Sequence, residues 1–131
     1  MRRLFLPVLY VCLLLASGCQ KINFNQTLTI GKDDKYAEVE FKAPSKDRTV
    51  QVTAECNVPV NVYVVLMDNK AEAVTTLLEK KELRKKLASE VKTKDASFDA
   101  EVPAGKGFAV LIAPVEKPKE DLKVELKVKA R

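Results

Sequence analysis

The stretch LKVELKVK, residues 122–129, alternates without a break: Leu122, Val124, Leu126 and Val128 fall on one side of an extended chain, and Lys123, Glu125, Lys127 and Lys129 on the other. Successive side chains of a strand point to opposite faces, so this segment reads as a strand with one face buried and one in water. The same period of two recurs upstream. Ala96, Phe98, Ala100 and Val102 alternate with Ser97, Asp99 and Glu101, and the turn Pro103-Ala104-Gly105-Lys106-Gly107 leads to Phe108, Val110 and Ile112, a hairpin signature. Val60, Val62, Val64 and Leu66 follow Pro59, which suits a strand start or edge. Val50, Val52, Ala54 and Cys56 share a phase, as do Ala37, Val39 and Phe41, and Phe24, Leu28 and Ile30. Seven short strands, eight with Leu87 to Val91, specify an all-β fold, an antiparallel jelly-roll-like β-sandwich.

One segment departs from this period. Asn69 to about Lys81 is rich in Ala, Glu, Leu and Lys, and Val74, Leu77 and Leu78 form a helical stripe. At 100° per residue Leu83 would lie on the side opposite Val74, so the helix must end before it. The expected arrangement is one short crossover helix feeding another sandwich strand. Pro114 to Pro118 reads as a connecting loop.

The amino terminus reads as a processing signal. Arg2 and Arg3 precede an apolar run from Leu4 to Ala16, too short to span a bilayer, which stops at Ser17-Gly18 directly before Cys19. Leu15-Ala16-Ser17-Gly18-Cys19 resembles the lipobox of bacterial lipoproteins, with Ala16 where Leu is commoner. The resemblance implies removal of residues 1–18, lipidation of Cys19, a tether at 19–23 and a single domain at 24–131. It also implies a bacterial membrane, the outer one in a Gram-negative host because Gln20 is not Asp. The alternative is an ordinary secretory signal cut near Ala16 or Gly18.

Removing 18 of the 131 residues leaves 113, carrying 21 basic against 18 acidic side chains, a net charge of +3. That is too small an excess for a nucleic-acid-binding domain. The chain has no His, so imidazole-based catalysis and His-rich metal sites are excluded, and neither a cofactor nor an enzymatic role is expected. Cys12 leaves with the signal and Cys19 carries lipid; the remaining Cys56 shares the phase of Val50 and Val52 and is expected to be a buried structural thiol.

The order of Val60-Asn61-Val62-Tyr63-Val64, a helical insert, Phe98 to Gly105, Phe108 to Ile112 and a charged last strand resembles the bacterial pre-peptidase C-terminal domain and related jelly-roll modules. The likeness spans Thr49 to the end and implies a non-catalytic module of a secreted protein.

Four features remain as candidate sites. Asp33-Asp34 after Gly31, and Asp68-Asn69, offer oxygen ligands for calcium but lack the alternating spacing that wraps one ion, and turn roles suit them better. Glu38 and Glu40 share a strand face, as a glycosidase carboxylate pair would, but a solvated strand face suits them better. Tyr36 and Tyr63 fall in the outward phase. A glycan- or calcium-binding module would require these tyrosines or the two aspartates to group around one concavity. Finally, Lys80, Lys81, Arg84, Lys85 and Lys86 form a basic surface patch that suits anionic head groups, an acidic envelope protein or a polysaccharide, or else serves solubility alone. The main expectation is a non-enzymatic, lipid-anchored accessory at a membrane surface. Oligomeric state is not written in the sequence.

Overall fold

The computed structural model describes residues 22–131, so the signal segment, Cys19 and residues 20 and 21 of the tether lie outside the described residues. Six strands form: β1 (Asn23–Ile30), β2 (Ala37–Phe41), β3 (Arg48–Leu66), β4 (Ala88–Val102), β5 (Phe108–Pro114) and β6 (Leu122–Ala130). Between β3 and β4 come a 3-10 turn (Met67–Asn69) and one helix, α1 (Lys70–Leu78). All strand pairings are antiparallel.

The architecture turns on β3. At 19 residues it would extend about 60 Å, at about 3.3 Å per residue, more than one face of a small sandwich can hold. It therefore serves both sheets. Val50 to Glu55 pair with β6, whereas Val60 to Leu66 pair with β5, and β4 follows β3 on its other side along both halves. Register shifts between Glu55 and Val60, and between Val60 and Val62, provide the bend. Pro59 is accommodated there because the ladder with β4 is interrupted. The first sheet is thus β1, β6, the first half of β3 and the second half of β4; the second is β2, β5 and the remaining halves.

This continuity explains the strand count. The segments Val50 to Cys56 and Val60 to Leu66 are one strand, and Leu87 to Val91 merges with Ala96 to Val102 in β4, so eight alternating segments make six strands. The inward phases meet as expected, with Val39, Val50, Val52, Val62, Val110, Val124 and Leu126 all fully buried. Phe24 of β1 meets Phe41 of β2 edge-on at 5.7 Å, and Phe41 stacks on Phe108 at 4.8 Å, closing one side of the sandwich. Cys56 keeps the inward phase and packs against this core, but it is only half-buried, because it lies where β3 leaves the first sheet.

The second sheet is buried on both faces. Its outer side presents Tyr63, Val65, Ala109 and Leu111, which pack with Ala73 of α1 and with Leu83. The helix stops at Leu78; Lys80 adopts a left-handed conformation (φ 59°), and the chain turns back to insert Leu83, 4% exposed, into the same cluster. The separate placement of Leu83 agrees with the helical phase argument. The helix is a cover rather than a crossover, however, because β3 and β4 are adjacent antiparallel strands and the chain returns where it left, with Leu87 N–H donating to Val64 O at 2.7 Å.

Candidate functional site

At one end of α1 the cover leaves a gap. A groove of about 420 Å³ opens between the β1–β2 turn, the C-terminal end of α1 and the β5–β6 loop, floored by Asn61, Tyr63 and Ala113. Each wall has a local cause. The β1–β2 turn is closed by Asp34, whose Oδ2 accepts Gly31 N–H at 2.8 Å and whose own N–H donates to Gly31 O. Asp121, at the start of β6, accepts Lys32 N–H at 2.9 Å and pins the turn to the opposite end of the chain. The left-handed Lys80 ends the helix, so that Leu78, Lys80 and Lys81 face the groove. Pro114 and Pro118 shape the third wall.

The groove combines exposed apolar side chains in its walls with a cationic rim. Leu78 and Val115, 49% and 38% exposed, are two of the three exposed large hydrophobic residues among the described residues, and both line it. Five lysines border it, Lys32, Lys35, Lys80, Lys81 and Lys117, against Asp33, Asp34 and Glu116. The ring of Tyr63 is buried among Val65, Leu111 and Ala73, and burial raises its pKa above the ordinary value of 10.0. Its hydroxyl therefore stays neutral, able to donate or accept a hydrogen bond from the groove floor.

The sequence candidates divide accordingly. Asp33, Asp34 and Tyr63 do group around one concavity, together with Lys80 and Lys81 of the basic patch. Arg84, Lys85 and Lys86 stand apart on the exposed turn after α1, Lys85 paired with Glu72 at 3.4 Å and Lys86 Nζ donating to Leu83 O. Tyr36 is half-buried against the helix cover; burial and then the negative charge of Glu38 raise its pKa. The outward tyrosines are thus roofed rather than displayed as platforms. Asp68 pairs with Lys106 at 2.9 Å in the turn after β3. Among the described residues no group of three or more His, Cys, Asp or Glu side chains is placed to hold a metal ion.

Glu38 and Glu40 do share a face, but it is the covered one. Lys70, the first residue of α1, reaches both carboxylates, Glu38 at 2.8 Å. Partial burial pulls the Lys70 pKa down, but the hydrogen bonds and charges of Glu38 and Glu40 outweigh it, and the net value is raised above 10.5. The pair is an anchor for the helix, both carboxylates being held by the one Lys70 ammonium, rather than a glycosidase dyad. The third wall was missed by the sequence reading: Pro114 to Pro118 looked like any connecting loop, and only folding brings it opposite residues 77–81.

No family model and no curated protein matches the chain. Solved structures do. The pre-peptidase C-terminal domain of a collagenase from Bacillus anthracis superposes with a TM-score of 0.55 at 12% identity, over 81% of this chain and 90% of that one. A periplasmic inhibitor of g-type lysozyme from Aeromonas hydrophila gives 0.52 at 11%, over 88% and 90%. The Yersinia pseudotuberculosis-derived mitogen gives 0.50 at 10%, over 85% and 87%. At such identities the likeness is one of fold, and the chain adopts the β-sandwich of these bacterial modules.

Proposed function

We propose that this chain is an exported, lipid-anchored, non-enzymatic binding module that holds an acidic segment of a partner protein in the groove beside α1. The observation that carries the reading is the pairing of the exposed Leu78 and Val115 with a rim of five lysines against three carboxylates. Exposed apolar side chains in a concavity bordered by one sign of charge suit a ligand with an apolar anchor flanked by the opposite charge. Neutral glycan suits it less, because Tyr63 is 8% exposed and offers no stacking platform. Calcium suits it less too, since Asp34 already serves its own turn. The Aeromonas hydrophila neighbour is itself an inhibitor of another protein, so this kind of sandwich is compatible with protein recognition. Anchoring rests on the segment Leu15 to Cys19. Cys19 stands three positions before Ile22, where the fold begins, a reach of about 10 Å, so the domain would ride near the bilayer.

The test is photo-crosslinking in the native envelope from a photoreactive residue at Leu78 or Val115, with the exposed Lys127 as control. The expected result is a covalent adduct to protein from the two groove positions only, lost when Lys80→Glu and Lys81→Glu reverse the rim. Equal labelling from Lys127, or adducts to carbohydrate alone, overturns the assignment. In the same cells Cys19→Ala should move the protein out of the membrane fraction; unchanged fractionation overturns the anchor.

A further inference from the structure

The sandwich has three edge strands, and two of them are guarded. β2 is only five residues long and carries Glu38 and Glu40. β4 is long, but six of its fifteen residues are charged, and Lys92 takes a left-handed conformation (φ 54°). Three of its backbone N–H groups are occupied by side chains: Lys92 by Asn61, Asp95 by Thr93 and Ser97 by Glu90. Charge, irregularity and brevity are the means by which proteins keep sheet edges from pairing with other chains.

β1 has none of these. Its sequence NFNQTLTI contains no charged residue and no proline, in a chain that is 31% charged. It runs in unbroken register with β6 from Asn23 opposite Lys129 to Ile30 opposite Leu122. The bond from Ala130 N–H to Ile22 O shows which groups face β6: those of the even-numbered residues. The N–H and C=O groups of Asn23, Asn25, Thr27 and Thr29 therefore point outward from the sheet.

We propose that β1 is a self-pairing edge, joining two copies of this chain through an antiparallel β1–β1 ladder into one continuous sheet. A two-fold axis normal to the sheet keeps inward residues opposite inward ones, so only registers centred on a residue are allowed. Centring on Gln26 sets Phe24 opposite Leu28 of the second copy and Asn25 opposite Thr27, and extends the ladder to Ile22 opposite Ile30. It places no charge opposite another and covers Leu28, which is half-exposed at the sandwich edge. A second copy suits this edge better than a foreign strand because the uncharged strand is complementary to itself along its whole length.

Gln26 would then face its own copy in a non-hydrogen-bonded pair, with Cα atoms about 4.5 Å apart, within disulfide reach. In the native envelope under mild oxidation, Gln26→Cys in the full chain should form a species of twice the mass at least tenfold more than Lys127→Cys does. Asn25→Lys with Thr27→Lys puts like charges opposite one another and should abolish that species, while Asn25→Ser with Thr27→Ser retains it. Circular dichroism of the purified variants checks that the fold is intact. Crosslinking equal to that of Lys127→Cys, adducts with other proteins only, or survival of the dimer in the lysine variant would each overturn the proposal.

Discussion

The two sheets share a core but differ on their outer faces. On the first, Lys123, Glu125, Lys127 and Lys129 of β6 are all exposed. On the second, Tyr63, Val65, Ala109 and Leu111 lie under α1 and the turn that carries Leu83. A strand wet on one side writes its orientation into its sequence, because every second residue must be polar; a strand buried on both sides does not. β5, FAVLIAP, is buried at six consecutive positions and has no polar phase.

That contrast can be broken most sharply at Leu111. It is fully buried on the outer side of the second sheet, and Leu111→Ala should cost about 2–5 kcal/mol through lost burial and the cavity left beneath the helix. Urea unfolding with an unchanged m-value would show it; a loss below 1 kcal/mol would mean that α1 does not cover the sheet. Next comes Lys70→Met, which removes the ammonium that Glu38 and Glu40 share near the helix start. The expected loss is about 1–2 kcal/mol, since all three groups keep some water contact. The sign of its pH dependence is fixed. A lysine whose folded pKa is raised above 10.5 stabilises fully below that pH, so the difference between wild type and variant should hold steady from neutral pH up to it and shrink as pH rises through the folded value. A difference already falling near neutral pH would exclude the Lys70 charge as its cause. The smallest effect belongs to the wet face, where Lys127→Ala should change stability by less than about 0.5 kcal/mol. A larger loss would show that the first sheet, too, depends on its outer side.

The same contrast decides what was legible. The alternation of LKVELKVK gave the phase of β6 directly, but the turn at Pro103 to Gly107, which reads as a hairpin, instead carries the chain from the first sheet to the second, β4 pairing with β3 and β5 with β3 and β2. Tyr63 was read as outward, which is its true phase, but outward on this sheet means toward α1 and not toward water. The break between α1 and Leu83 was readable because helical phase is local. The groove was only half readable: Asp33, Asp34, Tyr63, Lys80 and Lys81 carried visible chemistry, yet nothing local says that Val115 faces Leu78 across it, since the two are 37 positions apart. The union of two segments into β3 was hidden because Pro59 ordinarily starts a strand, and only the irregular ladder at that point lets one run through it.

The pairing of β1 with β6 joins the two ends of the described chain, Asn23 lying opposite Lys129. A polypeptide emerging from its amino end holds β1 long before its partner exists, and the first half of β3 waits for the same strand. Closure of the first sheet therefore waits until β6 has been made, and contacts of such long sequence separation slow folding. A chain truncated before Leu122 would leave two strands without their neighbour, so the final nine-residue strand decides when the rest of the molecule becomes a folded protein.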